Sequence, residues 1–244
     1  MSQAEQSAEN DPAGQRPGVR ISIVTPSYRR SDWLKLCIAS VADQPGEVEH
    51  IVQDAGSDDG TLDWLPRDPR VKVFVEKDQG MYDGVNRGLR RAGGDILAYL
   101  NCDEQYLPGA LPAVAAFFAK HPEIDVLFGD VVMIDPEGRY LYHRKMQTPL
   151  KYHTWTSHLS TLSCAMFFRR RVVFDYGFLF DPRLRDVGDG EWMVRLLRRW
   201  LGGMYSQPPF AYEIFTPGSP GRRQRSEVSH PACRAPAQAH SSGL

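Results

Sequence analysis

The sequence predicts an α/β protein with a mostly parallel central sheet flanked by helices. Short β-branched runs alternate along the chain with segments whose apolar residues recur three and four positions apart. The 244 residues, 42% of them hydrophobic and 24% charged, are enough for one sizeable core. Strands that alternate with helices form right-handed crossovers, which bring the carboxyl ends of the strands to one edge of the sheet.

Each element has a local signal. A β-branched run that stops at Pro26 predicts the first strand, and the turn-rich stretch 55–60 ends the second. Ser31 is in position to cap the first helix, and Gly93 is well placed to terminate the second. The predicted strands are 21–25, 48–52, 71–75, 95–100 and 125–129, and the predicted helices are 32–42, 82–92, 107–120 and 191–201.

The two ends of the chain differ from the middle. Residues 1–18 and 216–244 are polar and contain several Pro and Gly residues, so both are predicted to be disordered tails. The folded part is therefore predicted to be a single domain over 19–215.

Composition and charge exclude several classes of protein. Lys and Arg number 29 against 30 Asp and Glu, a balance without the basic footprint of a nucleic-acid-binding protein. The four cysteines show no CxxC spacing, which favours reduced thiols in the cytoplasm over a disulfide framework or a zinc site. Neither a membrane span of about 20 apolar residues nor a signal peptide is evident. We therefore expect a cytoplasmic location.

Four carboxylates follow the predicted strands: Asp54, Asp78, Asp103 and Glu104. Acids that meet at one rim indicate a bound cation or a cluster of ligand hydroxyl groups, although strand ends are also where sequences simply turn polar. The chain lacks both GxGxxG after the first strand and GxxxxGK[ST] anywhere, so dinucleotide and P-loop sites have no support. A phosphate ligand would then need a divalent cation, for which Mg²⁺ or Mn²⁺ is suited.

Several stretches in unbroken order resemble the family 2 glycosyltransferases of the GT-A fold. They are ISIVTPSYRRSDWLKLCIASVADQ, EHIVQDAGSDDGT, VEKDQGMYDGVNRGLRRAGGDILAYLNCDEQYLPGAL and VLFGDVV, covering about 20–130. The resemblance implies an inverting enzyme that moves a sugar from a nucleotide-diphosphate-sugar donor to a glycan or lipid-linked saccharide acceptor, with Mn²⁺ or Mg²⁺ as cofactor. It also implies a nucleotide-sugar-binding half over 19–130 and an acceptor-binding half over 131–215.

Carried over residue by residue, the resemblance assigns donor binding to the strand ends and to the segment D-x-G-x-Y-D-x-x-N. Ala55 stands where many members have a base-contacting Asp, so the resemblance carries no base assignment. Asn101 to Glu104 matches the metal motif Asn-x-Asp-Asp with Glu in the last place, and it implies Asp103 and Glu104 as metal ligands. The implied nucleotide-sugar-binding residues are Thr25, Pro26, Tyr28, Asp54, Asp78, Tyr82, Asn86, Asn101, Cys102 and Asp103.

The stretch RDVGDGEWMVRLLRRW resembles the later family segment in which an Asp precedes an amphipathic helix. This gives Asp189 the place of the catalytic base, since an acceptor hydroxyl must lose its proton as it attacks the anomeric carbon. Asp186 is a rival for this role. An acid before a helix also stabilises the helix dipole, a function compatible with catalysis.

Some alternatives stay open at this level. A nucleotidyltransferase and a non-catalytic sugar-nucleotide-binding protein also fit an α/β sheet with clustered carboxylates. His158 is either an acceptor-side residue or a structural histidine, and Trp155 and Trp192 are either a sugar-stacking platform or core residues. The apolar side of helix 191–201 is either core-facing or laid on the inner face of a membrane as a peripheral contact.

Overall fold

The computed structural model of the protein describes residues 19–156, 159–199 and 203–214, the last of these as backbone only. The predicted tails and His158 lie outside the described residues, as does the side chain of Trp155.

A single mixed sheet of nine strands forms the centre of the fold. Its strands are β1 (Ile21–Ser27), β2 (Val48–Asp54), β3 (Lys72–Val75), β4 (Ile96–Tyr99), β5 (Glu104–Tyr106), β6 (Ile124–Ile134), β7 (Tyr140–Arg144), β8 (Met166–Arg169) and β9 (Gly203–Ile214). Their order is β3-β2-β1-β4-β8-β6-β9-β5, and β7 pairs with β6. The helices are α1 (Ser31–Ala42), α2 (Thr61–Trp64), α3 (Met81–Arg91), α4 (Ala110–Lys120), α5 (Lys151–Thr156), α6 (Arg170–Phe174) and α7 (Gly188–Arg199).

The first half of the sheet is parallel. Strands β3, β2, β1 and β4 are parallel neighbours, and β1 and β4 are buried along their whole length because helices cover them. The predicted α/β class is confirmed, and the predicted convergence of strand ends at one edge follows from this pairing.

The second half is mixed because β8 enters antiparallel between β4 and β6. Val126 of β6 pairs with both β8 and β9, and Val131 pairs with both β7 and β9. A strand has two edges, so β7 and β8 lie on the same edge of β6, one after the other. Strand β6 therefore continues past the end of β8, on the side of the sheet at which β4 ends.

Helix α1 begins differently from the prediction. Its N-cap is Arg30, in the left-handed conformation with φ 64°, and no side chain caps it. Ser31 is already helical, and its hydroxyl accepts a hydrogen bond from Trp64 Nε1 at 2.8 Å. The predicted cap by Ser31 is therefore wrong, because this hydroxyl orients towards the segment after β2.

Helix α7 shows where Trp192 and its apolar neighbours in the predicted helix 191–201 lie. Trp192, Met193 and Leu196 are fully buried, and the Trp192 indole donates to the carbonyl of Phe178 at 3.0 Å. These three side chains belong to the core, so they offer neither a sugar-stacking surface at Trp192 nor a membrane contact, whereas residues 200 and 201 of the predicted helix lie outside the described residues. Among the described residues, no helix is long and apolar enough to cross a bilayer.

Helix α3 packs on β1 at unusually short range. A Cβ atom placed on Gly88 would lie 2.3 Å from Cγ1 of the buried Val24. Only a glycine leaves room for this approach, which seats the helix on the strands that end at the candidate site.

We predict that Gly88→Ala lowers the free energy of unfolding by about 1–3 kcal/mol, since an added methyl group overpacks this contact. Urea denaturation measures the change. Gly190→Ala is the matched control, because the space beside this second helical glycine is open and the substitution should be neutral or slightly stabilising. Equal stability of the two variants would contradict the proposed close packing.

Candidate functional site

A cavity of about 790 Å³ opens at the carboxyl ends of the parallel strands. It is lined by the last residues of β1 and by residues that follow β1, β2, β3 and β4, namely Pro26, Ser27, Tyr28, Ala55, Gly56, Lys77, Asp78, Gly80, Met81, Asn101 and Cys102. Five of the sequence-predicted binding residues are therefore in its wall: Pro26, Tyr28, Asp78, Asn101 and Cys102. An open α/β sheet binds its ligands in this place.

Asp54 supports the cavity from behind. Its carboxylate is fully buried and accepts hydrogen bonds from the hydroxyl groups of Ser27 and Ser57, at 2.9 and 2.8 Å, and from the backbone N–H groups of Gly56 and Ser57. These bonds fix the turn that supplies Ala55 and Gly56 to the wall. In this structure Asp54 shapes the cavity rather than lining it.

The same network holds the corner that presents Tyr28. Arg29 and Arg30 both have left-handed backbones, with φ 63° and 64°, which costs about 1–3 kcal/mol at each non-glycine residue. The Arg29 N–H donates to Ser57 Oγ at 2.6 Å, and its guanidinium forms a paired contact with Asp58. Surrounding bonds thus maintain a strained turn next to the cavity, and Tyr28 remains half-exposed there.

Thr25 also lies in the interior. Its hydroxyl contacts His50 Nε2 at 2.9 Å and the Cys37 thiol at 3.6 Å. Burial lowers the pKa of His50 to about 3, so the imidazole is neutral in the folded protein near pH 7. Thr25 therefore ties β1 to β2 and α1, one layer behind the cavity.

Asp78 is the carboxylate that lines the cavity. It accepts from the Gly80 N–H at 3.0 Å, and partial burial raises its pKa. A Cβ atom on Gly84 would lie 2.9 Å from Asp78 Oδ2, so α3 approaches this carboxylate closely. Asp83 accepts from the Gln79 N–H at 3.1 Å and thereby holds the same loop.

The turn from β4 to β5 is closed by Asn101 and Glu104. The Glu104 carboxylate is buried and accepts from the backbone N–H of Asn101 at 2.8 Å and from its side-chain amide at 3.1 Å, while the Glu104 N–H donates back to the Asn101 carbonyl. The longer reach of Glu, relative to the Asp usual in this place, makes this closure feasible. Direct metal ligation by Glu104 stays a prediction.

The donor set of this turn fits a cation that is bound together with a diphosphate. Among the described residues, no three His, Cys, Asp or Glu side chains are arranged as a metal site. Mg²⁺ and Mn²⁺ need only one or two carboxylates when phosphate oxygens and water complete the shell. The half-buried Asp103, next to the cavity, is the residue that would supply the carboxylate.

Tyr82 brings Asp189 to the site. The Tyr82 hydroxyl accepts a hydrogen bond from the Asp189 N–H at 3.1 Å. A Cβ atom on Gly188 would lie 2.4 Å from the Tyr82 ring, so a glycine is needed beside it. Burial and then the charge of Asp189 raise the pKa of Tyr82, which keeps the phenol protonated. Asp189 Oδ1 accepts from the Gly190 N–H at 2.8 Å, so the carboxylate also closes the first turn of α7.

Asn86 holds the same segment one helical turn further along α3. Its amide donates to the carbonyl of Phe180 at 2.8 Å, and its carbonyl accepts from the Phe180 N–H at 2.9 Å. The Tyr82 and Phe180 rings stack with centroids 5.4 Å apart. Tyr82 and Asn86 therefore position the segment before α7 rather than line the cavity.

Sequence reasoning missed Phe180 and Gly188. Phe180 lies in a loop without a motif of its own, and its role depends on backbone atoms, which carry no sequence signal. The sequence signal that could have indicated Gly188 was the GDG stretch around Asp189. The rival base Asp186 is exposed, whereas Asp189 is partly buried against Tyr82.

Comparison with known proteins gives a family. The model described as Glycosyl transferase family 2 matches residues 22–178. A PGL/p-HBAD biosynthesis glycosyltransferase of Mycobacterium bovis (strain BCG / Pasteur 1173P2) is 37% identical over 126 residues, which are 49% of this chain and 49% of that protein. The match thus spans about half the length of this curated relative.

Solved structures give the fold. S. aureus TarS residues 1–349, in complex with UDP-GlcNAc, has a TM-score of 0.66 and 20% identity, covering 82% of this chain and 60% of that one. The mannosyltransferase PcManGT from Pyrobaculum calidifontis, in complex with GDP-Man and Mn²⁺, has a TM-score of 0.62 and 15% identity, covering 85% and 60%. At these identities the two likenesses show the fold, which is of the GT-A type.

The buried His50 predicts a dependence of stability on pH. The pKa of this imidazole is about 3 in the folded protein, against about 6.5 in an unfolded chain. The unfolded state therefore binds more protons between these values, and its free energy falls relative to the folded state as pH drops below about 6.5.

We expect the free energy of unfolding, measured in urea from pH 7 to pH 5, to fall more steeply in the wild type than in His50→Gln. The contribution of one histidine is at most about 1.4 kcal/mol per pH unit. Glutamine retains an amide that can donate to Thr25 Oγ1 without titrating. Identical slopes in the two proteins would show that His50 does not carry this dependence.

Proposed function

The chain belongs to glycosyltransferase family 2, and on that premise we propose that it transfers a sugar from a nucleotide-diphosphate-sugar to a hydroxyl group of a glycan or lipid-linked saccharide. The observation that carries the proposal is the juxtaposition built by α3. Its N-terminus, at Gly80 and Met81, lines the cavity at the strand ends, and its Tyr82 holds the backbone of Asp189. This juxtaposition supports donor binding and proton removal at one end of one helix.

In the proposed reaction the nucleotide occupies the cavity between Tyr28, Asp78 and Asn101. The Asp189 carboxylate takes the proton of the acceptor hydroxyl as that oxygen attacks the anomeric carbon. Attack on the side opposite the departing diphosphate inverts the anomeric configuration. Partial burial of Asp189 and its bonds to Tyr82 and Gly190 orient it for this step.

A divalent cation, Mn²⁺ or Mg²⁺, would be held by Asp103 together with the diphosphate. When bound, it would stabilise the negative charge that develops on the leaving group. The neighbour PcManGT was solved with GDP-Man and Mn²⁺, which supports the proposal for this fold. We propose the cytoplasm as the setting, with contact to the inner face of the membrane where the acceptor is lipid-linked.

The first test is donor binding. We expect a UDP-, GDP- or dTDP-sugar to raise the melting temperature by about 5–10 °C at saturating concentration, because ligand binding stabilises the folded state. Differential scanning fluorimetry with and without Mn²⁺ measures the shift. In Asp103→Ala the part of the shift that depends on Mn²⁺ should be lost. Stabilisation by none of the three donor classes would contradict the proposed function.

The second test concerns the base. Asp189→Asn retains the shape of the side chain and an oxygen for the Gly190 N–H, but it cannot accept a proton. We expect the rate of nucleoside diphosphate release, in the presence of an acceptor, to fall by about 10²–10⁴-fold. The donor-induced shift in melting temperature should be unchanged.

Asp186→Asn is the matched control and should retain activity, since Asp186 is exposed. If Asp186→Asn lost activity and Asp189→Asn kept it, the assignment of the base would be wrong. Donor binding without turnover in the wild type under any acceptor would favour a non-catalytic sugar-nucleotide-binding protein.

A further inference from the structure

Among the described side chains, the strand with the most exposed aromatic residues is β7. Its first three residues expose large apolar side chains in succession: Tyr140 by 65%, Leu141 by 43% and Tyr142 by 48%. A half-buried strand exposes only alternate residues. Here a β-bulge opposite Met133 and Ile134 interrupts the regular pairing, and all three side chains reach solvent.

The sheet places β7 beside the proposed donor site. Strands β7 and β8 share one edge of β6, and β8 pairs with β4 on its other side. Strand β7 therefore occupies the column next to β4, beyond the point where β8 begins. In the part of the chain that the structure describes, β6 is the one strand paired with β7, so the other edge of β7 is turned towards the column of β4.

The register sets the height of β7 above the site. Ala98 of β4 and Leu127 of β6 are level, because both pair with Phe167. Tyr142 pairs with Met133, six residues further along β6. Strand β7 therefore lies on the side of the sheet at which β4 ends and the cavity opens.

Two basic side chains beside the tyrosines have carboxylate partners within the protein. Arg139 contacts Asp135 at 2.7 Å and Glu137 at 3.2 Å, and His143 contacts Asp130 at 3.2 Å. The charge of Arg139 is therefore already compensated by Asp135 and Glu137. Tyrosine offers an apolar ring for the C–H face of a sugar and a hydroxyl group for its oxygens, which matches an uncharged saccharide.

We propose that residues 140–142, here the β7 platform, bind the saccharide part of the acceptor, with the rings of Tyr140 and Tyr142 packed against sugar units beyond the one that reacts. The inference rests on the proposed function, since it takes the reacting hydroxyl to lie near Asp189. It assigns acceptor binding to a strand that carries no family motif.

The test measures saccharide binding directly. Saturation-transfer NMR with gluco-, manno- and chito-tetraoses, with UDP or GDP present, gives the dissociation constants. We expect at least one of the tetraoses to bind the wild type and the double variant Tyr140→Ala/Tyr142→Ala to bind it about ten-fold or more weakly. Tyr140→Phe/Tyr142→Phe, which keeps the rings, should restore most of the affinity.

Phe174→Ala is the matched control. Phe174 is an exposed aromatic residue on α6. This helix starts at Arg170, whose N–H donates to the carbonyl of Asp95, next to the amino end of β4. Its loss should leave saccharide binding unchanged. The donor-induced shift in melting temperature should be the same in all variants, so failure of the platform is distinguishable from failure of the proposed function.

Results of three kinds would overturn the inference. One is that no tetraose binds the wild type, or that the double alanine variant binds as tightly as it does. Another is that vesicles of phosphatidylglycerol and phosphatidylethanolamine bind through these tyrosines while saccharides do not, since Arg144 and Lys145 follow the platform. The third is a dimer in light scattering that the double alanine variant converts to a monomer.

Discussion

The two hydrogen bonds between the Asn86 side chain and the backbone of Phe180 are the contact on which the geometry of the site depends. They are buried, and they join α3, whose N-terminus lines the cavity, to the segment that leads into α7. Without Asn86, a backbone donor and acceptor would be buried unpaired, at about 1–3 kcal/mol for each. One helix thus connects the cavity to the segment that carries Asp189.

Hydrogen bonding also resolves the crowding of acids at the rim. Four carboxylates at neighbouring strand ends would repel one another if all faced the same ligand. Asp54 is satisfied by hydroxyl and amide donors from its own turn, and Glu104 is satisfied by Asn101. Asp78 lines the cavity, and Asp103 follows Cys102 in the adjoining turn. The acids are therefore divided between building the walls and facing the ligand.

The parts of the fold that could be predicted from the sequence are those with local signals. Strands β1 to β4 and helices α1, α3 and α4 carry their own periodicity and turn residues, so their existence and order followed from the pattern. The roles of Tyr82 and Asn86 did not, because their partners lie near Phe180, far along the chain. The predicted Ser31 cap failed because Trp64, from another element, takes its hydroxyl. Tertiary contacts decided each of these points.

The position of β7 shows the same limit, and here the cause is strand length. Strand β8 has four residues and β6 has eleven, so β8 leaves the upper part of one edge of β6 uncovered. A long uncovered edge would invite pairing with another chain. The hairpin that continues from β6 covers it with β7, on the side of the sheet at which β4 ends. The position of β7 thus follows from the difference in length between β6 and β8. The short antiparallel β8 carries no sequence motif, so the position of β7 could not be predicted from the sequence.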